Sequence, residues 1–351
     1  GNFRPILGKL AVSSIGIGTY LGENDEATDR EYEEALKAAL LGGINLIDTA
    51  VNYRLQRSER CIGRVLKELA DSGKIRREEI VIASKGGYIT FDGEVPADPR
   101  AYLRETYIEP GIITPGDLVE GSHCMTPRYL DKMLAMSLEN LGLETIDIYY
   151  LHNPETQLGA VSRDEFLSRI RTAFEFLESA AKSNKIGVYG AATWNGFRVD
   201  ANDPSWMSLS ELWRIARDVG GADHHFRALQ MPYNLAMPEA LTAVNQPAPS
   251  GEGEGSPLFA ARSLEIAVFA SASLLQGQLT RGLPPIIAEA CAGLSSDAQR
   301  AVQFVRSTPG VDVALVGMKS AAHVEQILAT ARREPAPFES LMKLFKRVDQ
   351  P

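Results

Sequence analysis

The chain has 351 residues, 44% of them hydrophobic, which is enough apolar surface for a large core and excludes a disordered polypeptide. Its 45 Asp and Glu outnumber 36 Lys and Arg, for a formal charge of −9, and no basic stripe gathers on one segment, so nucleic acid is not expected as a partner. No run approaches the ~20 apolar residues of a membrane span, the first twenty residues lack a secretory pattern, and Cys61, Cys124 and Cys291 are widely spaced, so a soluble cytoplasmic protein with no membrane partner is expected.

Short β-branched runs alternate along the chain with longer segments of helical period, the pattern of parallel strands joined by crossover helices. In chain order, strands are expected at 11–19 (AVSSIGIGT), 45–50 (NLIDTA), 80–86 (IVIASKG), 146–153 (IDIYYLHN), 186–193 (IGVYGAAT), 228–234 (ALQMPYN), 264–273 (LEIAVFASAS) and 313–319 (VALVGMK). Between the first two, EYEEALKAALLGG puts Tyr32, Ala35, Leu36, Ala39 and Leu40 on one helical face and stops at Gly42 and Gly43. After the third strand, residues 86–125 break any helical period with Gly, Pro and aromatics and far exceed the usual ~2–6 residues of a βα loop. Tyr88, Phe91, Tyr102 and Tyr107 there would pin this long loop to the body or shape a substrate pocket. QPAPSGEGEGSP (246–257) reads as a mobile surface loop. Eight strand–helix units in a chain of this size match a (β/α)8 TIM barrel better than an open doubly wound sheet. The expected α/β fold is therefore one barrel domain over 1–351, with the long loop after strand 3 and a C-terminal helical extension.

Two tempting patterns carry no such weight. Gly16, Gly18 and Gly22 miss the GxGxxG spacing, because position 21 is Leu, so no Rossmann site is expected. Asp223, His224 and His225 lack a third spaced ligand, so no metal site is expected either.

In a barrel of this kind reactive groups collect at the carboxyl ends of the strands. Asp48 ends the second strand with Tyr53 five residues on, Lys85 ends the third and His152 ends the fourth. Each has a plain alternative: Asp48-Thr49 as a helix cap, Tyr53 as a packing aromatic, Lys85 as a solvated strand end, His152 as a core imidazole. Together they suit carbonyl reduction, where negative charge grows on oxygen and needs a proton donor. Tyr53 would give the proton, Lys85 would favour its phenolate, Asp48 would keep Lys85 charged, and His152 would hold the oxygen. The hydride must come from a cofactor, and nicotinamide is the natural carrier.

The motifs GIGTY (16–20), INLIDTAVNY (44–53), SERCIGRVLKEL (58–69), IVIASKGG (80–87), SLENLGLETIDIYYLHNP (137–154), LQMPYN around Gln230, LLQGQLT (274–280) and GMKSAAHVEQIL (317–328) run over nearly the whole chain. They resemble the aldo-keto reductase superfamily. The resemblance implies a TIM barrel, NAD(P)H-dependent reduction of an aldehyde or ketone to an alcohol or the reverse, and a catalytic tetrad at Asp48, Tyr53, Lys85 and His152. It further implies cofactor contacts at Thr19, Asp48, Thr193, Gln230, Ser271, Ser273, Leu274, Gln278, Gly317, Lys319, Ser320 and Gln326. A small carbonyl or alcohol substrate would meet Tyr20, Tyr53, His152 and Trp194. The chain departs from the family at Ala192-Thr193, where Ser-Asn is usual, and at Ser271, where an aromatic usually stacks on nicotinamide. Lys319, at a helix start whose amides suit phosphate, favours NADP(H), while His323 and Ile327 in place of the family's Arg and Asn leave NAD(H) as the alternative. Two other functions stand beside the reductase: a nucleotide-binding regulatory or redox-sensing subunit, and an aldolase using Lys85 as a Schiff base, which Asp48 disfavours by raising the lysine pKa.

Overall fold

The computed structural model describes residues 3–6, 10–248 and 253–345. A hairpin of β1 (Phe3–Ile6) and β2 (Leu10–Ser13) comes first, then β3 (Ile15–Gly18), α1 (Glu26–Leu41), β4 (Leu46–Asp48), α2 (Arg57–Asp71) and β5 (Val81–Gly86). The long segment after β5 holds α3 (Pro99–Leu103) and leads to α4 (Pro127–Leu141), β6 (Ile146–His152), α5 (Arg163–Lys182), β7 (Ile186–Ala192), α6 (Leu209–Gly220) and β8 (Phe226–Pro232). Next come α7 (Glu239–Thr242), a short ribbon of β9 (Gln246–Pro247) and β10 (Glu254–Gly255), α8 (Pro257–Ser263) and β11 (Ala267–Ser271). Helices α9 (Pro285–Ala290) and α10 (Asp297–Ser307), strand β12 (Val313–Gly317), α11 (Ala321–Ala331) and α12 (Phe338–Met342) complete it.

Strands β3 to β8, β11 and β12 close into a parallel barrel in that order, β12 pairing back to β3. The period of two in each strand sorts the core into two layers. Leu46, Val81, Ala83, Ile148, Tyr150, Phe269, Val313 and Leu315 fill the barrel with Ile6 and Val12 of the hairpin. Ile17, Ile47, Ile82, Tyr149, Leu151, Leu229, Val268 and Val316 face outward into the helices. Carried to the strand ends, the same alternation turns Gly18, Asp48, Lys85, His152, Ala192, Gln230, Ser271 and Gly317 inward. That ring is where chemistry can occur.

Side-chain caps fix the helix starts: Asp25 for α1, Ser162 for α5, Ser208 for α6, Ser296 for α10 and Ser320 for α11 each accept from an amide of the first turn. Gly190 admits no side chain, since a Cβ would lie 1.9 Å from the Ala228 carbonyl oxygen, where the β7–β8 register shifts.

The expected strand at 11–19 proves to be two. At Ser13-Ser14 the chain turns: the Ser13 hydroxyl donates to the Ile15 carbonyl at 2.7 Å and its N–H donates to Asn45 Oδ1 at 2.8 Å, so local polar bonds replace the ladder. The segment after β5 is longer than a βα loop, as expected, but it contains helix α3 and a small core of its own, with Tyr107 and Ile113 packed on Tyr129 and Met133 of α4. In 246–257 the flanks are held: Gln246 is buried and its amide bonds Leu209 and Met207 backbone groups at 2.9 and 3.1 Å. Residues 249–252 of that stretch lie outside the described residues. In the expected C-terminal extension, α12 packs on the barrel body with Leu341 buried in the outer core. Among the described residues no helix is long and apolar enough to cross a membrane.

Candidate active site

Lys85 is wholly buried on the inner face of β5, and its ammonium reaches both Asp48 carboxylate oxygens at 2.9 and 2.8 Å, the Thr49 carbonyl at 2.8 Å and the Tyr53 hydroxyl at 3.2 Å. Burial works against the charge, but Asp48 and Tyr53 together outweigh it and hold the Lys85 pKa above its ordinary value. Asp48 Oδ1 also accepts from Gln230 Nε2 at 2.6 Å, so the Gln230 amide orients the carboxylate. For Tyr53, burial raises the phenol pKa more than Lys85 lowers it, and the hydroxyl keeps its proton. Sequence reasoning gave only the lysine's pull toward the phenolate; desolvation is the opposing effect that it left out. His152 meets Tyr53 edge to face at 5.8 Å between ring centroids, and burial, then Lys85 and His123, push its pKa well below the usual imidazole range. It is therefore neutral, and its Nδ1 has no protein partner.

Tyr53 is carried by an unusual turn. Arg54, Leu55 and Gln56 follow it in left-handed conformation, with φ of 50, 54 and 74°, each at about 1–2 kcal/mol of backbone cost. Arg54 holds the turn through bonds from Nε to the Glu23 carbonyl at 2.8 Å and from Nη2 to the Asp25 carbonyl at 3.2 Å and Asp29 Oδ1 at 2.5 Å. The same bonds tie down the loop that bears Tyr20, whose ring sits 5.0 Å from that of Tyr53.

A cleft of about 980 Å³ opens above these groups. Of the sequence-expected residues, Thr19, Tyr20, Asp48, Tyr53, His152, Thr193, Trp194, Gln230, Ser271, Ser273, Leu274, Gly317, Lys319 and Gln326 line it, with Lys85 beneath. Gln278 and Ser320 do not. Gln278 is exposed in a 3-10 turn, because Ala272, Leu275 and Gln276 turn left-handed (φ 54, 46 and 53°) and bring Gln276 to the wall instead. Ser320 is occupied as the cap of α11, accepting from His323 N–H at 3.3 Å. Thr193 has a buried hydroxyl without a partner, whereas the Thr19 hydroxyl donates to the Asp48 carbonyl at 3.1 Å. Gln326 donates to Ser296 Oγ at 2.8 Å, and Lys319 pairs with Glu31 of α1 at 3.1 Å. Tyr20 and Trp194 stand at the mouth, 56% and 42% exposed.

Sequence reasoning missed Asn52 and Asn153, which also line the cleft, and Glu31, which meets it through Lys319; for Tyr88 it favoured pinning the loop over shaping a pocket. Phe91, Tyr102 and Tyr107 pin the insertion in a chain of edge contacts at 5.3 and 6.3 Å, while Tyr88 lines the cleft. Asn153 directly follows the strand-end His152 and Asn52 directly precedes Tyr53, which was the available signal. His225 pairs with Glu178 at 2.8 Å and His224 contacts Arg227 at 3.0 Å; among the described residues no three His, Cys, Asp or Glu converge on a metal-sized site.

A closed barrel of eight parallel strands with an acid, an amine, a phenol and an imidazole on its carboxyl rim defines a (β/α)8 protein of the enzyme-bearing kind. The chain belongs to the aldo/keto reductase family, whose profile matches residues 14–201. It is 26% identical over 188 residues to the NADH-specific methylglyoxal reductase of Escherichia coli (strain K12), a match that covers 52% of this chain and 49% of that one. It is 28% identical over 183 residues to a D-threo-aldose 1-dehydrogenase of a Pseudomonas species, covering 52% and 50%. The chain thus spans about half the length of these relatives. Among solved structures, an aldo/keto reductase from Klebsiella pneumoniae in complex with NADP and acetate superposes with a TM-score of 0.63 at 23% identity, covering 95% of this chain and 90% of that one. The glycerol dehydrogenase of Gluconobacter oxydans gives 0.66 at 19% identity, covering 100% and 97%, so the fold is shared.

Proposed function

We propose that this chain reduces a small aldehyde or ketone to an alcohol, or runs the reverse, with NADP(H) as cofactor and NAD(H) as the alternative. One observation carries the reading: the Lys85 ammonium lies 3.2 Å from the Tyr53 hydroxyl while both Asp48 oxygens grip it from behind. When bound, nicotinamide supplies the hydride that no side chain can. The protein manages the proton and the charge. Tyr53, protonated at neutral pH, donates to the carbonyl oxygen as negative charge grows there. Lys85 stabilises the phenolate left behind, Asp48 keeps Lys85 charged in a dry setting, and neutral His152 holds the same oxygen.

The residues present suit the cofactor. The orphaned Thr193 hydroxyl fits a carboxamide partner, and Ala192 beside it offers none. Ser271 stands where nicotinamide would stack, Ser273, Leu274 and Gln276 line the side of the cleft that would take the pyrophosphate, and Gly317, Lys319 and the first amides of α11 suit the adenosine phosphate. The Klebsiella structure, described as a complex with NADP, and the E. coli relative, described as NADH-specific, support either nucleotide. A cytoplasmic setting belongs to the same reading, supported by three free, buried thiols at Cys61, Cys124 and Cys291.

The test is Tyr53→Phe. Wild-type protein should oxidise NADPH in the presence of some aldehyde from an aliphatic, aromatic and sugar panel, and the variant should lose ~10²–10⁴-fold in kcat, the usual scale of a general acid, with nucleotide affinity kept. Equal turnover in the variant would remove the proton role. Tight nucleotide binding with no turnover on any carbonyl would instead favour a regulatory subunit.

A further inference from the structure

The insertion after β5 returns to the barrel beside the end of β6 and delivers a second imidazole there. Tyr88 and His123 form an antiparallel bridge, with Ile89 N–H donating to the Ser122 carbonyl at 2.7 Å and Cys124 N–H donating to the Gly87 carbonyl at 2.8 Å. These bonds bury His123 directly behind the His152 backbone. Gly87 is required for the approach: a Cβ there would lie 2.7 Å from the His152 carbonyl oxygen and 3.1 Å from His123 Nε2.

Three hydrogen bonds run in series through this imidazole. Arg169 of α5 donates from Nη1 to Gln157 Oε1 at 2.6 Å, Gln157 Nε2 lies 2.8 Å from His123 Nδ1, and His123 Nε2 lies 2.7 Å from the His152 carbonyl oxygen. Their polarity has a single solution. A guanidinium only donates, so Gln157 turns its oxygen to Arg169 and its NH₂ to His123. Nδ1 must then accept, and because a carbonyl oxygen only accepts, Nε2 must carry the hydrogen. Burial pushes the His123 pKa down to about 4, so the neutral ring has this one tautomer at physiological pH. The Tyr88 ring stands edge-on 5.0 Å from both imidazoles, and its hydroxyl accepts from Asn153 Nδ2 at 3.1 Å.

The need for such a clamp follows from where His152 sits. It is the last residue of β6, followed by Asn153 in left-handed conformation (φ 46°) and by Pro154, which has no N–H to give. We propose that His123, oriented by Gln157 and Arg169, is a positioning residue that clamps the His152 carbonyl and so fixes the His152 ring at the cleft. The insertion after β5 thereby acquires a defined part in the site: it places the group that holds the substrate oxygen. This inference rests on the reductase reading of His152.

The experiment compares His123→Ala with His123→Gln, whose amide NH₂ can reproduce the Nε2–H donor. His123→Ala should lower kcat ~10–100-fold, the scale of a misplacement near 1 Å, with nucleotide affinity little changed, and His123→Gln should restore most of it. A merely structural histidine would instead make both variants follow their thermal stability. A second arm needs no turnover: in protein labelled with 15N at its histidine rings, His123 should report an Nε2–H tautomer, and the His152 signals should move in His123→Ala but not in His123→Gln. Gln157→Leu serves if His123→Ala does not fold: with its Nδ1 partner gone the ring keeps the Nε2–H tautomer that the His152 carbonyl requires but loses its orientation, so the His152 signals should shift, and unmoved signals would overturn the clamp. An Nδ1–H tautomer in the wild type, or His152 signals and kcat both indifferent to His123→Ala, overturns the inference. If no carbonyl is turned over at all, the reductase reading falls, and the NMR arm still decides whether His123 sets the His152 ring.

Discussion

Lys319 and Glu31 face each other at 3.1 Å across the edge of the cleft, each about half exposed, so their own attraction is weak and solvent-screened. The pair bears on nucleotide choice in opposite directions. A 2′-phosphate would draw Lys319 away from Glu31 and suffer the nearby carboxylate, whereas a ribose 2′-hydroxyl could donate to Glu31 directly. Lys319→Met should therefore weaken NADPH binding by ~10-fold, about 1.4 kcal/mol, and leave NADH within a few-fold, while Glu31→Gln should favour NADPH. Titration of both nucleotides by intrinsic fluorescence measures this, and equal losses for the two would remove Lys319 from 2′-phosphate recognition. Lys319 was legible in the sequence because it stands at a strand end before a helix. Glu31 was not, since it lies one turn into an ordinary amphipathic helix and meets Lys319 only when α1 packs against the β12–α11 corner. The same division holds deeper in the site. Asp48, Lys85 and His152 announce themselves as polar ends of apolar strands, but His123 and Gln157 lie in segments with no period, and only the tertiary return of a loop joins them.

At the scale of elements, the turn from Tyr53 into α2 is where local preference and fold disagree most. Three consecutive left-handed residues without a glycine persist only where surroundings over-determine them. Here the surroundings are the Arg54 guanidinium, nearly fully buried, and Asp29, which Arg57 also grips at 2.7 Å. Arg54→Leu would free three backbone bends from their anchor but leave Asp29 paired with Arg57. We expect a loss of about 2–3 kcal/mol, below the ~3–5 kcal/mol of a buried pair broken outright. It should appear as a lower urea midpoint at constant m, with turnover reduced through the loosened Tyr53. An unchanged midpoint would mean the turn is held by something other than this clamp. From the sequence, the strand ending at Asp48 was visible; the conformation that follows Tyr53 was not, because no glycine or proline marks it. The split of the expected first strand has a similar cause: Val12 and Ile15 continue one apolar pattern across Ser13-Ser14, and only the hydrogen bonds of those serines show the turn.

Across the whole molecule, the barrel was readable because eight short β-branched runs recur with helices between them, and parallel strands buried on both faces leave that trace. The long insertion was readable as an insertion only, since its small core around Tyr107 and Tyr129 has no repeat to betray it. Its coupling to the barrel has a consequence for acid stability. His123 is buried neutral with a pKa of about 4, packed against Tyr88, His152 and Gln157, whereas an unfolded imidazole titrates near ~6.5. Between those values the unfolded chain binds the extra proton, so the stability from His123 is complete above pH ~6.5 and is lost as pH falls toward ~4, by roughly 3 kcal/mol. His152, whose pKa burial likewise pushes well below the usual imidazole range, adds in the same sense. Buried Glu59 and Glu155 act oppositely: burial raises their pKa values, so the native state binds more protons than the unfolded chain above pH ~4.5 and gains as pH falls. A raw stability profile therefore mixes both signs, and the informative quantity is a difference. Urea midpoints of wild type and His123→Gln, followed from pH 7 to pH 4, should diverge, the wild type losing on the order of 3 kcal/mol more than the variant over that window. Parallel curves would mean that the pocket behind His152 accepts a charged imidazole, and that the insertion does not depend on His123 staying neutral.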